Sequence, residues 1–201
     1  MGFFTRYLLP RATHYICSHK SLAQQRRKVV PLARGQVLEI GAGSGLNLPF
    51  YDPRKVQRVW GLEPRVEMWR QADTRNLRFN LEFLEAPAER IPLKDGSADT
   101  IVVTYTLCSV AGLSQALRDM RRVLKPGGEL LFCEHGAAPH PRVRRWQERL
   151  NPVWGKLSGG CRLNLQIPSL LENGGFSIRS LDTGYIGGPS FASYNYWGRA
   201  V

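Results

Sequence analysis

Short apolar runs alternate with stretches of helical periodicity through the middle of this chain. Strand-like runs rich in Val, Ile and Leu fall near 36–40, 56–62, 80–85, 98–104 and 129–134. Each is long enough for a buried strand and too short for a buried helix. The segments between them are expected to be helical. The clearest is 113–124, where Leu113, Ala116, Leu117, Met120, Val123 and Leu124 share one face. That helix is expected to stop at Lys125-Pro126-Gly127-Gly128, because Pro126 suits the second position of a type II turn and Gly127 supplies the positive φ of the third. Downstream, 136–160 reads as a Pro- and Arg-rich insertion. A helix near 165–174 follows, capped by Gly174-Gly175, and then two strands at roughly 176–185 and 193–200, with Phe176 opening the first. Strands alternating with helices predict an α/β domain.

The first strand runs directly into Gly41-Ala42-Gly43-Ser44-Gly45. Glycine at alternate positions removes each Cβ that would block a ligand and permits positive φ, so a bound molecule can lie against main-chain N–H groups. The spacing is not the G-x-G-x-x-G of a dinucleotide site, which disfavours a nicotinamide oxidoreductase. Glu39, two residues before Gly41, would repel a pyrophosphate and attract a cation. The second strand ends at Glu63, where a carboxylate can accept both hydroxyls of a ribose. A ribose with a cationic, amino-acid-like tail describes S-adenosylmethionine. A glycine-rich turn without a ligand is the other reading.

The 201 residues suffice for one domain with a single core. No run of 18 apolar residues occurs, and Arg6, Pro10 and Arg11 interrupt the N-terminus, so neither a membrane span nor a signal peptide is expected. A cytoplasmic protein follows from that reading. Cys17, Cys108, Cys133 and Cys161 are far apart in sequence and form no C-x-x-C pair, so reduced thiols are expected, with neither a disulfide framework nor a metal. The net charge is +12, and residues 1–35 contain seven Lys or Arg and no acid. One or two amphipathic helices are expected there, packed over the ligand's mouth. The charge reads first as solvated or steering, second as a peripheral contact with an anionic membrane, and third as nucleic-acid binding, for which no specific module is present.

With these motifs in view, the chain resembles a class I SAM-dependent methyltransferase of the type 11 group, from about residue 15 onward. The resemblance implies a Rossmann-like fold: a mostly parallel seven-stranded sheet with helices on both faces. It divides one domain into a cap (1–35), a cofactor-binding core (36–135), an insertion lining the acceptor site (136–160) and a C-terminal part (161–201). It implies that Glu39, Gly41, Gly43, Gly45, Glu63, Pro64, Ala88, Glu89 and Thr104 hold S-adenosylmethionine, which leaves as S-adenosylhomocysteine. Pro87 stands where the family usually has an Asp, so Glu89 or a backbone group would take the adenine amine. Thr106-Leu107-Cys108-Ser109-Val110, Glu134-His135-Gly136, Arg145-Trp146-Gln147, Leu150-Asn151-Pro152 and Gly159-Gly160-Cys161-x-Leu163 are similar in order and spacing to the microsomal thiol S-methyltransferases. That likeness implies a small thiol acceptor. N-, O- or C-methylation of a lipid-like or quinone-type molecule is the alternative, and RNA methylation a weaker one.

Methyl transfer from a sulfonium needs acceptor and methyl aligned, and a thiol acceptor reacts as its thiolate. Ligands of open α/β sheets sit beyond the carboxyl ends of the strands, which selects Cys108, Ser109, Glu134 and His135. His135 is the candidate proton acceptor, with a packed, hydrogen-bonded histidine as the other reading. Glu134 is its candidate orienting partner, and Cys108 lies beside the expected methyl position, with contact to Cys133 open. Tyr15, Tyr105, Ser109, Trp146 and Trp154 are candidate pocket walls. Either a monomer or a homodimer is compatible with the sequence.

Overall fold

A computed structural model describes residues 8–201. Seven strands form one sheet in the order β3-β2-β1-β4-β5-β7-β6. They are β1 (Gly35–Ile40), β2 (Val56–Leu62), β3 (Asn80–Leu84), β4 (Ala98–Thr104), β5 (Leu124–His135), β6 (Ile178–Tyr185) and β7 (Tyr194–Ala200). The first five are parallel, and β7 runs antiparallel between β5 and β6. The chain winds outward from β1 through β2 to β3, then returns to lay β4 on β1's other side. The carboxyl ends of β1 and β4 therefore flank the point where the order reverses, where open α/β sheets bind ligands.

Alternation along the strands decides which side chains meet which layer. Leu38, Ile40, Ile101, Val103, Leu130 and Phe132 pack with Ala116, Leu117, Met120 and Val123 of α4 (Leu113–Val123) and with Ile167 and Leu171 of a later helix, Ile167–Asn173. Val37, Val59, Val102, Leu131 and Cys133 pack on the opposite face with Val29 and Val30. Each Val, Leu, Ile, Phe or Met side chain among them contributes roughly 1.5–3 kcal/mol when fully buried. Two N-terminal helices, α1 (Leu9–Cys17) and α2 (Lys20–Val29), precede the sheet, and α2 lies against β5 and β7.

Several expected elements differ. Between β1 and β2 there is only a 3-10 turn, Leu48–Phe50, and between β2 and β3 only the four-residue α3 (Val66–Trp69). The connection from β3 to β4 has no helix among the described residues. Gly41, Gly43, Gly45, Pro49 and Pro53 in the first connection, and Pro87, Pro92 and Gly96 in the third, are helix breakers. The supposed insertion instead contains the longest described helix, α5 (Pro141–Leu157), with Pro141 in its first turn and Pro152 inside. Proline at a helix start fits without loss, and arginine is a good helix former. Ile167–Asn173 is α6.

At the end of α4 no separate turn precedes the strand. Leu124 pairs with Ala98 and Glu129 with Thr100, so 125–128 loops out within β5, with Gly127 at φ +77°. The expected positive φ is present, and Lys125 Nζ lies 2.7 Å from Asp99 Oδ1. Phe176 is core rather than strand, and β6 begins at Ile178.

Candidate active site

The glycine loop leaves β1 with Gly41, Gly43 and Gly45 all at positive φ. Their surroundings differ. A Cβ on Gly41 would lie 2.3 Å from Thr106, and one on Gly45 would lie 2.8 Å from Leu48 Cδ1. Those two glycines permit close packing of protein on protein. A Cβ on Gly43 would meet nothing nearer than Met68 Cε at 3.5 Å. Gly43 is therefore the position that leaves room for a ligand.

Two buried carboxylates flank the loop. Glu39 accepts hydrogen bonds from Asn47 Nδ2 (3.0 Å) and the Tyr51 hydroxyl (2.7 Å), and Asn47 also donates to Thr104 Oγ1 at 3.0 Å. Burial pushes the Glu39 carboxyl up to about 7, and the bonds from Tyr51 and Asn47 offset only part of that. Glu63 accepts the Gly43 N–H at 3.1 Å and the Arg65 N–H at 3.1 Å, and burial raises it too. A carboxylate offers about four lone-pair sites, so each retains acceptor capacity. An open glycine between two carboxylates with acceptor capacity to spare fits the ribose and cationic tail of S-adenosylmethionine. α1 reaches this loop: His14 Nδ1 lies 2.7 Å from Ser44 Oγ.

Across the switch point, β4 is followed by Tyr105, at φ +53°, and a 3-10 turn, Leu107–Ser109. Glu134 Oε1 accepts the Thr106 and Leu107 N–H groups at 2.7 and 3.2 Å, while Oε2 is buried without a partner. Burial raises Glu134 to about 7. Beside it, His135 Nε2 lies 3.3 Å from Cys161 Sγ, and the donor atoms of Cys108, His135 and Cys161 all fall within 4.8 Å of one another. The Cys108 thiol, whose S–H points to the Tyr105 carbonyl at 3.9 Å, lies close enough to Cys161 to lower the latter's pKa; burial opposes this and His135 reinforces it. For His135 burial acts downward, and the Cys161 sulfur outweighs it. The Trp154 indole N–H, buried and without a regular hydrogen bond, adds a looser contact that also favours the Cys161 thiolate. All four cysteines are free.

Cys108 and Cys161, far apart in sequence, thus converge at the strand ends. The sulfur beside Cys108 is Cys161; Cys133 donates to the Tyr105 hydroxyl at 3.5 Å. His135 faces Cys161 and is not oriented by Glu134, whose bonded oxygen holds the Leu107–Ser109 turn. Tyr105 donates to Asn195 Oδ1 at 2.8 Å, under the Arg26 guanidinium. Tyr15 and Trp146 are 80% and 57% exposed, so neither walls a pocket. Their helices turn those faces outward. Trp154 packs edge-on against Phe191. Ser109 is exposed, with its hydroxyl on the Thr106 carbonyl, and Pro64 is exposed beside Glu63. Ala88 is buried, and Glu89 accepts the Gly112 N–H at 2.8 Å, holding the start of α4.

Four residues outside those candidates hold this side of the site together. Gly159 and Gly160, at φ +71° and +98°, turn the chain so that Cys161 meets the Leu107–Ser109 turn. Arg162 then clamps that turn: its N–H and Nε reach the Cys108 carbonyl at 3.0 and 3.2 Å, and its guanidinium also reaches the Leu107 and Val110 carbonyls. Gln147, fully buried on α5, accepts the Ala138 N–H and directs Nε2 at the carbonyls of Gly136, Leu163 and Phe191. Gly159-Gly160 signals the turn, and the Arg145-Trp146-Gln147 likeness includes Gln147, but nothing in the sequence marks Arg162.

Comparison with known proteins agrees with this geometry. The family described as Methyltransferase domain matches residues 38–132. The thiol S-methyltransferase TMT1B of Homo sapiens is 36% identical over 179 residues, covering 85% of this chain and 72% of that protein. TMT1A of Homo sapiens is 32% identical over 185 residues, with 85% and 74% covered. Among solved structures, a SAM-dependent methyltransferase from Thermotoga maritima superposes with a TM-score of 0.66 at 22% identity, over 98% of this chain and 97% of that one. The last is a likeness of fold. An open glycine cradle between Glu39 and Glu63 at the switch point of a seven-stranded sheet, and relatives matching most of the chain, agree: this chain belongs to the type 11 SAM-dependent methyltransferases, in the family of the thiol S-methyltransferases TMT1A and TMT1B.

Proposed function

We propose that this methyltransferase acts on a small thiol, forming an S-methyl thioether. The observation that carries the reading is the extent of the match. An alignment covering 85% of the chain runs beyond residues 38–132, into the half that supplies Gln147, Cys161 and Arg162. A quinone-type acceptor draws support from the demethylmenaquinone methyltransferase of Clavibacter sepedonicus, 31% identical over 121 residues, but that match covers only 59% of this chain and 49% of that protein.

S-Adenosylmethionine, when bound, supplies an electrophilic methyl group on a sulfonium. Glu63 stands ready to accept a ribose diol, and Gly43 leaves the space beside it. Glu39, held by Asn47 and Tyr51, places a carboxylate near a cationic tail. A bound positive charge offsets the desolvation that raises this acid, so Glu39 ionises as the site fills. On the other side, the fixed Leu107–Ser109 turn and the Cys108, His135 and Cys161 groups define where the acceptor's nucleophilic atom would lie. Positioning the two halves on one axis is the main catalytic demand.

The test is a product assay by mass spectrometry with S-adenosylmethionine and a panel of aliphatic thiols, amines, phenols and hydroquinones. S-methyl products should exceed all others at equal concentration. Methylation of a hydroquinone with no thiol product would replace this reading with the quinone one.

A further inference from the structure

We propose that Cys108, His135 and Cys161 form a zinc site with an open fourth position, and that this position takes the acceptor thiol. The inference rests on the thiol reading above and deepens it. The donor set is two thiolates and one imidazole, which zinc prefers, and three protein ligands plus a vacancy is the pattern of catalytic zinc. The donor atoms already lie within 4.8 Å of one another, with Cys161 Sγ and His135 Nε2 at 3.3 Å. Ligands around tetrahedral zinc stand roughly 3.5–3.8 Å apart, given Zn–S of about 2.3 Å and Zn–N of about 2.0 Å. Small rotations of side chains would close the set.

The backbones that carry these ligands are fixed independently of any metal. Arg162, next to Cys161, bonds the Cys108 carbonyl through both its main chain and its guanidinium. His135 closes β5, paired across to Asn195 of β7. Gln147 ties the carbonyls of Gly136 and Leu163, each one or two residues from a ligand, to one buried amide. The site also lies at the carboxyl ends of β4 and β5, next to the switch point where the methyl donor belongs. Cys17, on α1, lies outside the three-residue group.

The chemistry balances without another reactant. The acceptor's sulfur binds zinc as its S–H proton leaves to solvent. One sulfur lone pair then forms the S–CH3 bond while the bond from methyl to sulfonium breaks, its electron pair remaining on the departing sulfide. The uncharged thioether is a weak ligand and dissociates.

The test begins with metal analysis of the full-length protein as purified, then replaces zinc by cobalt. One metal per chain and near-ultraviolet thiolate-to-cobalt charge-transfer absorption with intense tetrahedral visible bands are expected. Cys161→Ser should weaken zinc binding by more than about 100-fold, beyond the ~10–100-fold that loss of an outer-shell partner costs. Cys133→Ser should leave affinity unchanged. Cys17→Ser should also retain the metal; loss of metal there would make the site closed and structural and overturn the open position. Adding an aliphatic thiol to the cobalt protein should increase the charge-transfer absorption. If wild-type protein binds zinc no more tightly than Cys161→Ser, or methylates thiols at full rate after chelation, the metal site falls while the thiol reading stands. Stoichiometric metal with a thiolate spectrum that no thiol perturbs, in protein that still methylates thiols, would remove the acceptor role alone. Failure to methylate any thiol would instead overturn the reading on which that role rests.

Discussion

The two sides of the switch point are built differently. The cofactor side, β1 and β2 with their loops, places its two carboxylates at the ends of adjacent parallel strands and the glycines directly after one of them. Its groups are bonded mainly within 39–65: Glu39 to Asn47 and Tyr51, Glu63 to Gly43 and Arg65. The acceptor side joins residues 108, 135, 147 and 161–163 from separate elements through Arg162 and Gln147. Local bonding produces a cradle for a constant ligand. Long-range bonding produces a pocket whose shape changes when any one segment changes, as suits the part of an enzyme that selects its acceptor.

The sharpest way to break the comparison is at the glycines. Gly43→Val fills the one open position, so affinity for S-adenosylmethionine should fall more than about 100-fold by calorimetry, although φ near +54° adds strain of about 1–2 kcal/mol. Gly41→Ala should damage folding instead, because its Cβ has Thr106 at 2.3 Å. Equal cofactor affinity in folded Gly43→Val would place the ligand elsewhere. On the other side, Gln147→Leu strands an amide N–H and several carbonyls, at about 1–3 kcal/mol for each buried group left unsatisfied. A loss of about 3 kcal/mol in denaturant unfolding is expected, and a change below about 1 kcal/mol would mean the carbonyls are solvated another way.

Arg162→Met keeps the side chain's length and removes its clamp on the Leu107–Ser109 turn. Steady-state kinetics should show kcat/KM for the acceptor falling roughly tenfold, the equivalent of ~1.4 kcal/mol, with cofactor affinity nearly unchanged. Equal loss of both would erase the distinction between the two sides.

The cofactor side was legible because its signals are contiguous: Glu39-x-Gly41-x-Gly43-x-Gly45, then Glu63 at the end of the next strand. The apolar runs that located β1, β2 and β4 to within a residue reflect burial on both faces of a parallel sheet. Short connections were misread because strand alternation implies crossover helices, whereas the glycines and prolines of 41–55 and 85–97 prevent them. α5 was hidden by Pro141 and Pro152, whose effect depends on their place in the helix. Cys108, His135 and Cys161 are about 26 residues apart along the chain, a spacing with no local meaning. Only the sheet order and the turn at Gly159-Gly160 bring them together.

Glu39 adds a pH dependence on the cofactor side, in the range where the Glu134 carboxyl, likewise raised to about 7, changes charge on the other side. Glu39 titrates near 7 in the folded protein against an ordinary 4.5, so the folded state holds a proton that the unfolded chain has released between those values. Its contribution to stability is therefore fully present below pH 4.5 and lost as pH rises through 7. Cofactor binding has the opposite sign, because a cation needs the carboxylate. Affinity should fall by up to about tenfold per unit as pH drops below 7. Glu39→Gln should flatten the profile while lowering affinity at pH 8, and an unchanged slope would assign the dependence to another group.

The most direct measurement is a crystal structure with S-adenosylhomocysteine and an aliphatic thiol bound. The account predicts ribose hydroxyls on Glu63, the nucleoside against Gly43, and the two ligand sulfurs facing each other beside Cys108, His135 and Cys161. A nucleoside away from Gly43, or a thiol remote from that cysteine–histidine group, would contradict it.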